Sequence, residues 1–269
     1  MSNPRPPATE WAGNLYAILH RACPEGPRLR DALLEVDDLT VRFGGLAALS
    51  ALSLDVAAGE IVGVIGPNGA SKTTLFNVVT GLVRPAQGVV RFRGTTITTL
   101  APFRISRLGI ARTFQLVRIL PTLTVTQNVL VGLYFGGRSR GAAAPATEAR
   151  RLLAEVGLET RADDPAGTLP LADRKRLEIA RALATRPELL LLDEVLSGIR
   201  AVEARALMGL IREIRERGTT VIMIEHIMKA IMALSDRIVV LHHGEKIAEG
   251  PPEAVASAPA VIQAYLGRA

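Results

Sequence analysis

The run Gly66-Pro67-Asn68-Gly69-Ala70-Ser71-Lys72-Thr73-Thr74 follows an apolar stretch at 61–65 and opens a helical pattern. Strand, glycine-rich turn and helix form the arrangement in which backbone N–H groups cradle phosphates, a lysine reaches the terminal phosphates and the next hydroxyl holds Mg²⁺. Lys72 and Thr73 fill those two roles. Gly66 and Gly69 let the backbone turn, and Thr74 is placed to help at the inner phosphate. One residue breaks the pattern: Ser71 stands where a glycine should precede the lysine, and its Cβ is expected to crowd the loop or shift its backbone angles. A glycine turn without a ligand is the competing reading. It leaves unexplained why one of only four lysines, against 28 arginines, falls at this position.

A phosphate loop needs an acidic partner for the metal, placed at the end of a neighbouring buried strand where the carboxyl edge of the sheet forms a crevice. The segment 189–194, LLLLDE, supplies it. Asp193 is the candidate holder of Mg²⁺ through water, and Glu194 the candidate base that orients or activates an attacking water. The apolar stretch before Glu225 and His226 repeats this geometry and brings His226 to the same edge, as a contact for the γ-phosphate. Gln115, in 111-ARTFQ-115, is placed to act as a polar sensor bridging nucleotide and insertion, although its spacing alone is unremarkable.

The elements that must position these groups can be read from periodicity. Alternating residues at 34–43 and 52–56, with Gly44-Gly45 between them, predict antiparallel strands, and 88–94 another half-buried strand. A helix is predicted over 73–82, stopped by Pro85. From there to about residue 168 the strand signal gives way to helical patches at 126–133 and 148–156, separated by a flexible piece at 136–147. The second half then alternates: helix 171–185, strand 189–192, helix 202–217, strand 221–224, helix 227–234, strand 238–241. Buried strands alternating with amphipathic helices predict a parallel sheet covered on both faces. Residues 1 to about 32 differ in texture, with early prolines and a short helical spacing, and read as a partly ordered extension or as a helix that docks on a partner or membrane surface.

Composition narrows the classes. At 48% hydrophobic and 22% charged residues, a chain of 269 can bury a sizeable core. No apolar run approaches the roughly 18 residues of a membrane-spanning helix. The single Cys23 excludes an internal disulfide and, with no clustered histidines, argues against a zinc site. The N-terminus lacks a continuous apolar stretch, so export is not expected. A net charge of +6 is compatible with phosphorylated ligands, nucleic acid or anionic lipid, and much of the arginine excess is what a coding bias produces.

The phosphate loop, Gln115, a helical insertion, 169-LPLADRKRLEIARALATRPELLLLDE-194 and His226, in that order, resemble the ATPase subunit of an ABC transporter. The similarity runs from about Leu34 to Ala269. FGGLAAL at 43–49, RLGIARTFQ at 107–115, LTVTQNVLVG at 123–132 and KIAEGPPEAV at 246–255 are further similar to the ATP-binding proteins of branched-chain amino acid importers. The resemblance implies an α/β P-loop NTPase with a RecA-like core, an antiparallel β subdomain and a helical subdomain inserted at about 116–169. It also implies ATP and Mg²⁺ as cofactors, with Gln115 beside Thr73 and Asp193 at the metal, and Phe43 stacked on the adenine.

The implied partners are membrane permease subunits, a second ATPase subunit paired head to tail, and, indirectly, an extracytoplasmic solute-binding protein. Nucleic acid is not expected among them, since cassettes that act on it usually come in pairs on one chain. The implied location is peripheral, at the cytoplasmic face of the inner membrane. Besides Ser71 the chain departs from the family pattern twice. Residues 169–173 read LPLAD where LSGGQ is usual, so that Asp173 is expected to disturb the partner's γ-phosphate, and Arg200 replaces an Asp or Asn in 197-SGIR-200. These departures support an alternative, a low-turnover nucleotide-binding partner in a heterodimer.

Overall fold

The structure, a computed structural model, describes residues 32–136 and 144–266. The extension expected over 1–32, apart from Ala32, and most of the segment 136–147 lie outside the described residues. Two sheets organise the rest. Strands β1 (Ala32–Phe43), β2 (Leu46–Ala57), β4 (Gln87–Phe92) and β5 (Thr95–Thr96) form an antiparallel sheet in the order β2-β1-β4-β5. Strands β3 (Ile61–Ile65), β6 (Ile110–Arg112), β7 (Leu189–Asp193), β8 (Thr220–Ile224), β9 (Arg237–His242) and β10 (Glu245–Gly250) form the second, in the order β10-β9-β3-β8-β7-β6. Its neighbours pair in parallel except β10, which is antiparallel to β9.

This sheet departs from the sequence expectation at both edges. Ile110–Arg112, within a stretch read as helical, is the edge strand beside β7. Three residues are too few to display a period of two. At the other edge β10 reads EKIAEG, a polar strand without the apolar run that marks its buried neighbours. The carboxylate strand β7 is also not hydrogen-bonded to β3, because β8 lies between them.

Alternation along the buried strands divides the core between two faces. Leu190, Leu192, Val221, Met223, Ile238 and Val240 pack with residues of the helices Leu171–Leu183, Ala201–Glu216 and Met228–Leu234. Leu189, Leu191, Ile222, Ile224, Val239 and Leu241 face the other way, against Leu75, Phe76 and Val79 of the helix Lys72–Val79 and against the antiparallel sheet. Leu189 to Leu192 are all fully buried, and burial of each is worth roughly 1.5–3 kcal/mol. The strand that ends in the carboxylates is therefore held firmly from both sides.

The helix after the phosphate loop is shorter than predicted, ending at Val79, because Gly81 turns the chain with φ 73° before Pro85 is reached. Between β6 and Leu171 lie the helices Val125–Phe135 and Pro145–Glu155. The first starts at a reciprocal cap. Thr124 Oγ1 accepts from the Gln127 N–H at 3.1 Å, and Gln127 Oε1 accepts from the Thr124 N–H at 2.9 Å.

Candidate active site

The loop after β3 leaves the sheet at Gly66, whose φ is 152°. A Cβ there would run into the Leu241 carbonyl oxygen, so glycine is required. Lys72 folds back over the start of the loop, its Nζ donating to the carbonyl oxygens of Gly66 at 2.6 Å and Pro67 at 3.0 Å. Burial lowers its pKa, and the carboxylates of Glu194 and Asp193 oppose that shift. Thr73 and Thr74 stand in the first turn of the helix, and Asn68 and Gly69 are exposed at the crest of the loop while Ala70 is buried.

Ser71 answers the question its sequence position raised. It sits at φ 67°, ψ 24°, the left-handed conformation that glycine takes freely, and its side chain makes no capping hydrogen bond. Holding this conformation costs the serine about 1–2 kcal/mol. Ser71→Gly is expected to stabilise the chain by up to about 1 kcal/mol, once the larger freedom of glycine in the unfolded chain is deducted. Urea unfolding checks this, and a loss of stability would show the serine to be unstrained.

Asp193, at the end of β7, is 1% exposed. Its Oδ2 receives Arg112 Nη2 at 2.7 Å, and Arg112 Nη1 donates at 2.6 Å to Asn77 Oδ1 on the phosphate-loop helix. The guanidinium lies 5.4 Å from the Phe76 ring centre and 5.0 Å from that of Phe114. Burial pushes the Asp193 pKa up, and Arg112 pulls it back. Asp193 Oδ1 is buried without a hydrogen-bond partner among the described residues. An orphaned carboxylate oxygen at the end of β7 suits Mg²⁺ with its water shell, since hard oxygen donors are what that ion takes.

Three further predicted residues converge next to it. Gln115 Nε2 donates to Glu194 Oε2 at 2.9 Å, and His226 Nδ1 lies 3.7 Å from the same oxygen. Glu194 has φ 51°, an uncommon backbone for a residue with a Cβ. It is locked by its own N–H, which donates to Ile224 O at 2.9 Å, and by Lys175 Nζ, which donates to the carbonyl oxygens of Glu194 at 3.0 Å and Ser197 at 2.6 Å. Lys175, from the helix Leu171–Leu183, is thereby a buried brace of the carboxylate loop.

Glu225, beside His226, was not singled out by sequence. It is 1% exposed and accepts from the Leu196 N–H at 2.7 Å. Burial pushes its pKa up from 4.5 to about 7, against the Leu196 N–H and Lys175. Between those values the folded chain holds a proton that the unfolded chain has released. Its contribution to stability is therefore full below about 4.5 and lost as pH rises through about 7, by an amount on the order of 3 kcal/mol. Urea midpoints measured from pH 4.5 to 8 should fall across that window in the natural chain and change less in Glu225→Gln. Equal slopes would refute the assignment.

At the other two departures from the family pattern the charged side chains are paired within the chain. Asp173 Oδ2 meets Arg161 Nη1 at 3.4 Å and its Oδ1 meets Arg176 Nη1 at 3.8 Å, so the carboxylate is countered by two cations rather than left to repel an anion. Arg200 is paired with Glu203 at 2.6 Å at the start of the helix Ala201–Glu216. Phe43 is 53% exposed beside the β1–β2 turn. The hairpin rests on the β9–β10 turn through Ser50 N–H, which donates to Gly244 O at 3.0 Å, and the same β9 walls Gly66. Sequence reasoning missed Arg112, Asn77 and Glu225.

Comparison with known proteins agrees with this geometry. The ABC transporter family model matches residues 49–197, and a model described as the branched-chain amino acid ATP-binding cassette transporter matches 245–269. The high-affinity branched-chain amino acid transport ATP-binding protein BraF of Pseudomonas aeruginosa is 43% identical over 251 residues, covering 88% of this chain and 98% of the relative. LivG of Escherichia coli, described in the same words, is 41% identical over the same shares. Among solved structures, a nucleotide-free ATP-binding cassette from an ABC transporter superposes with a TM-score of 0.81 at 30% identity, over 88% of this chain and all of the other. A second cassette, in its ADP conformation, gives 0.80 at 31% identity over 88% and 99%. With a family model over residues 49–197 and a fold shared with those cassettes over 88% of its length, the chain belongs to the ABC transporter family as an ATP-binding ATPase subunit.

Proposed function

We propose that this ATPase drives uptake of branched-chain or related hydrophobic amino acids. In this reading it works as a head-to-tail pair with a second ATPase subunit, at the cytoplasmic face of the inner membrane and beneath separate permease subunits. An extracytoplasmic binding protein delivers the solute. The convergence of Gln115, Glu194 and His226 at the sheet edge beside Lys72 is the observation that carries the hydrolytic part. The relatives' transport role and the match at 245–269 support the solute. Among the described residues no helix is long and apolar enough to cross a membrane, which accords with a permease on another chain.

The chain's own groups divide the work. Loop N–H groups and Lys72 bind the phosphates once the ammonium exchanges the Gly66 and Pro67 carbonyls for phosphate oxygens. Thr73, Asp193 and Gln115 would hold Mg²⁺, which would supply positive charge to offset that of the phosphate oxygens. Glu194 accepts the proton of the attacking water, Gln115 orients it, and His226 donates towards the γ-phosphate. Phe43 offers its exposed ring to the adenine.

Reconstitution with the co-purifying membrane subunits in vesicles tests the reading: ATPase activity should rise when leucine, isoleucine or valine is supplied with the binding protein. Stimulation by an unrelated solute class alone would overturn it. The slower-partner alternative draws on the strain at Ser71, and tight ATP binding with negligible turnover in the assembled complex would favour it.

A further inference from the structure

The segment that carries Gln115 has no regular secondary structure from Thr113 to Leu120. Yet its amide must meet Glu194 at hydrogen-bond distance for the water to be oriented. An unsupported loop would sample many positions, and the helix Leu171–Leu183 supplies the support. Glu178, only 3% exposed, turns a single oxygen, Oε1, onto the backbone N–H of Phe114 at 3.3 Å and of Arg118 at 3.2 Å, one on each side of Gln115. Three residues on, Arg181 Nη2 donates to the Arg118 carbonyl oxygen. The Arg118 guanidinium in turn covers the Phe114 ring at 4.5 Å. Beyond the loop, Asn128 holds Leu120 by both backbone groups, at 2.8 and 3.0 Å.

A carboxylate buried to this depth is retained only where its hydrogen bonds are satisfied. An apolar side chain at position 178 would fill the space and leave two amides without an acceptor. We propose that Glu178, seconded by Arg181, is a positioning residue that fastens the Gln115 loop to the signature helix. The orientation of that helix then decides whether Gln115 reaches Glu194. In the head-to-tail pair proposed above the N-terminus of that helix would face the other nucleotide, and one carboxylate in each subunit would link the state of one composite site to water activation in the other. The proposal rests on the reading of Gln115 and Glu194 as hydrolytic groups.

The test uses the full chain, assembled with its partners, carrying Cys23→Ser and a spin label on Leu116→Cys, a position 82% exposed. Glu178→Ala is expected to make the label more mobile and to lower kcat about tenfold to a hundredfold, with binding of a fluorescent ATP analogue changed by less than about twofold. Glu178→Gln keeps an oxygen acceptor in place and should recover most of kcat and the restricted spectrum. If the alanine variant does not fold, Arg181→Met, which releases the Arg118 carbonyl and removes a cation near Glu178, should still loosen the label. The proposal is overturned by unchanged label mobility, by equal kcat losses in the alanine and glutamine variants, or by a loss that appears only as weaker ATP binding. Glu194→Gln run alongside separates the causes. If it is inactive while Glu178→Ala is normal, the clamp alone fails; if it hydrolyses ATP normally, the underlying reading fails.

Discussion

Glu194→Gln should lower ATP turnover by about 10²–10⁴-fold while ATP still binds. The expectation follows from what the substitution changes. The amide keeps the size of the carboxylate and can still face Gln115, which now donates at 2.9 Å to Glu194 Oε2. The backbone brace from Lys175 and the N–H bond to Ile224 do not involve the side chain and persist. What disappears is the proton acceptor, and general-base catalysis is worth about that factor. In the proposed function phosphate contacts would run through Lys72 and the loop, so affinity should be kept or raised by the removal of a negative charge near the ammonium. Single-turnover hydrolysis and equilibrium binding of a fluorescent nucleotide measure the two quantities separately. Turnover within about threefold of the natural chain would remove Glu194 from the role of base.

Arg112→Met should be the most destabilising single change at the site, by about 3–5 kcal/mol. The Arg112 and Asp193 side chains are 5% and 1% exposed, so the pair is cut off from solvent and removal of the cation leaves a buried charge without compensation. Total stabilities of about 5–15 kcal/mol make such a loss a large fraction of the whole. Methionine fills the space between Phe76 and Phe114, which confines the effect to charge and hydrogen bonds. The sign with pH is also set. Burial already raises the Asp193 pKa and Arg112 opposes it, so without the arginine the folded chain holds its proton to higher pH and the deficit deepens as pH rises. Urea unfolding at two pH values checks this, and adding Asp193→Asn, which removes the stranded charge, should recover part of the loss. A deficit below about 1 kcal/mol would mean that water reaches the pair.

Both cases show where sequence reasoning ended. The phosphate loop was legible because its function is local: nine consecutive residues between a strand and a helix contain the glycines, the lysine and the hydroxyls. Asp193 and Glu194 were legible for a similar reason, since four leucines identify a strand buried on both faces and the residues after it must emerge at the sheet edge. His226 followed from the same logic one strand over. Edge strands were not legible. Ile110–Arg112 is too short to show a period, and Glu245–Gly250 is polar because one of its sides has no strand to pair with.

By itself the sequence determined the class of the fold and the strand, glycine-rich turn and helix that carry Lys72, because each is written in residues close together along the chain. Only the tertiary structure decided that Arg112 joins Asn77 to Asp193, that Lys175 braces Glu194, that Arg161 and Arg176 counter Asp173, and that Glu178 grips the Gln115 loop. The Arg112–Asp193 and Glu178–Phe114 bonds join residues 81 and 64 positions apart. No local period encodes such distances, and burial turns each charge into an obligation for a partner that packing alone can bring. Ser71 and Glu194 fall under the same rule, for their left-handed backbones are held by the surrounding sheet and helices against the preference of their own side chains.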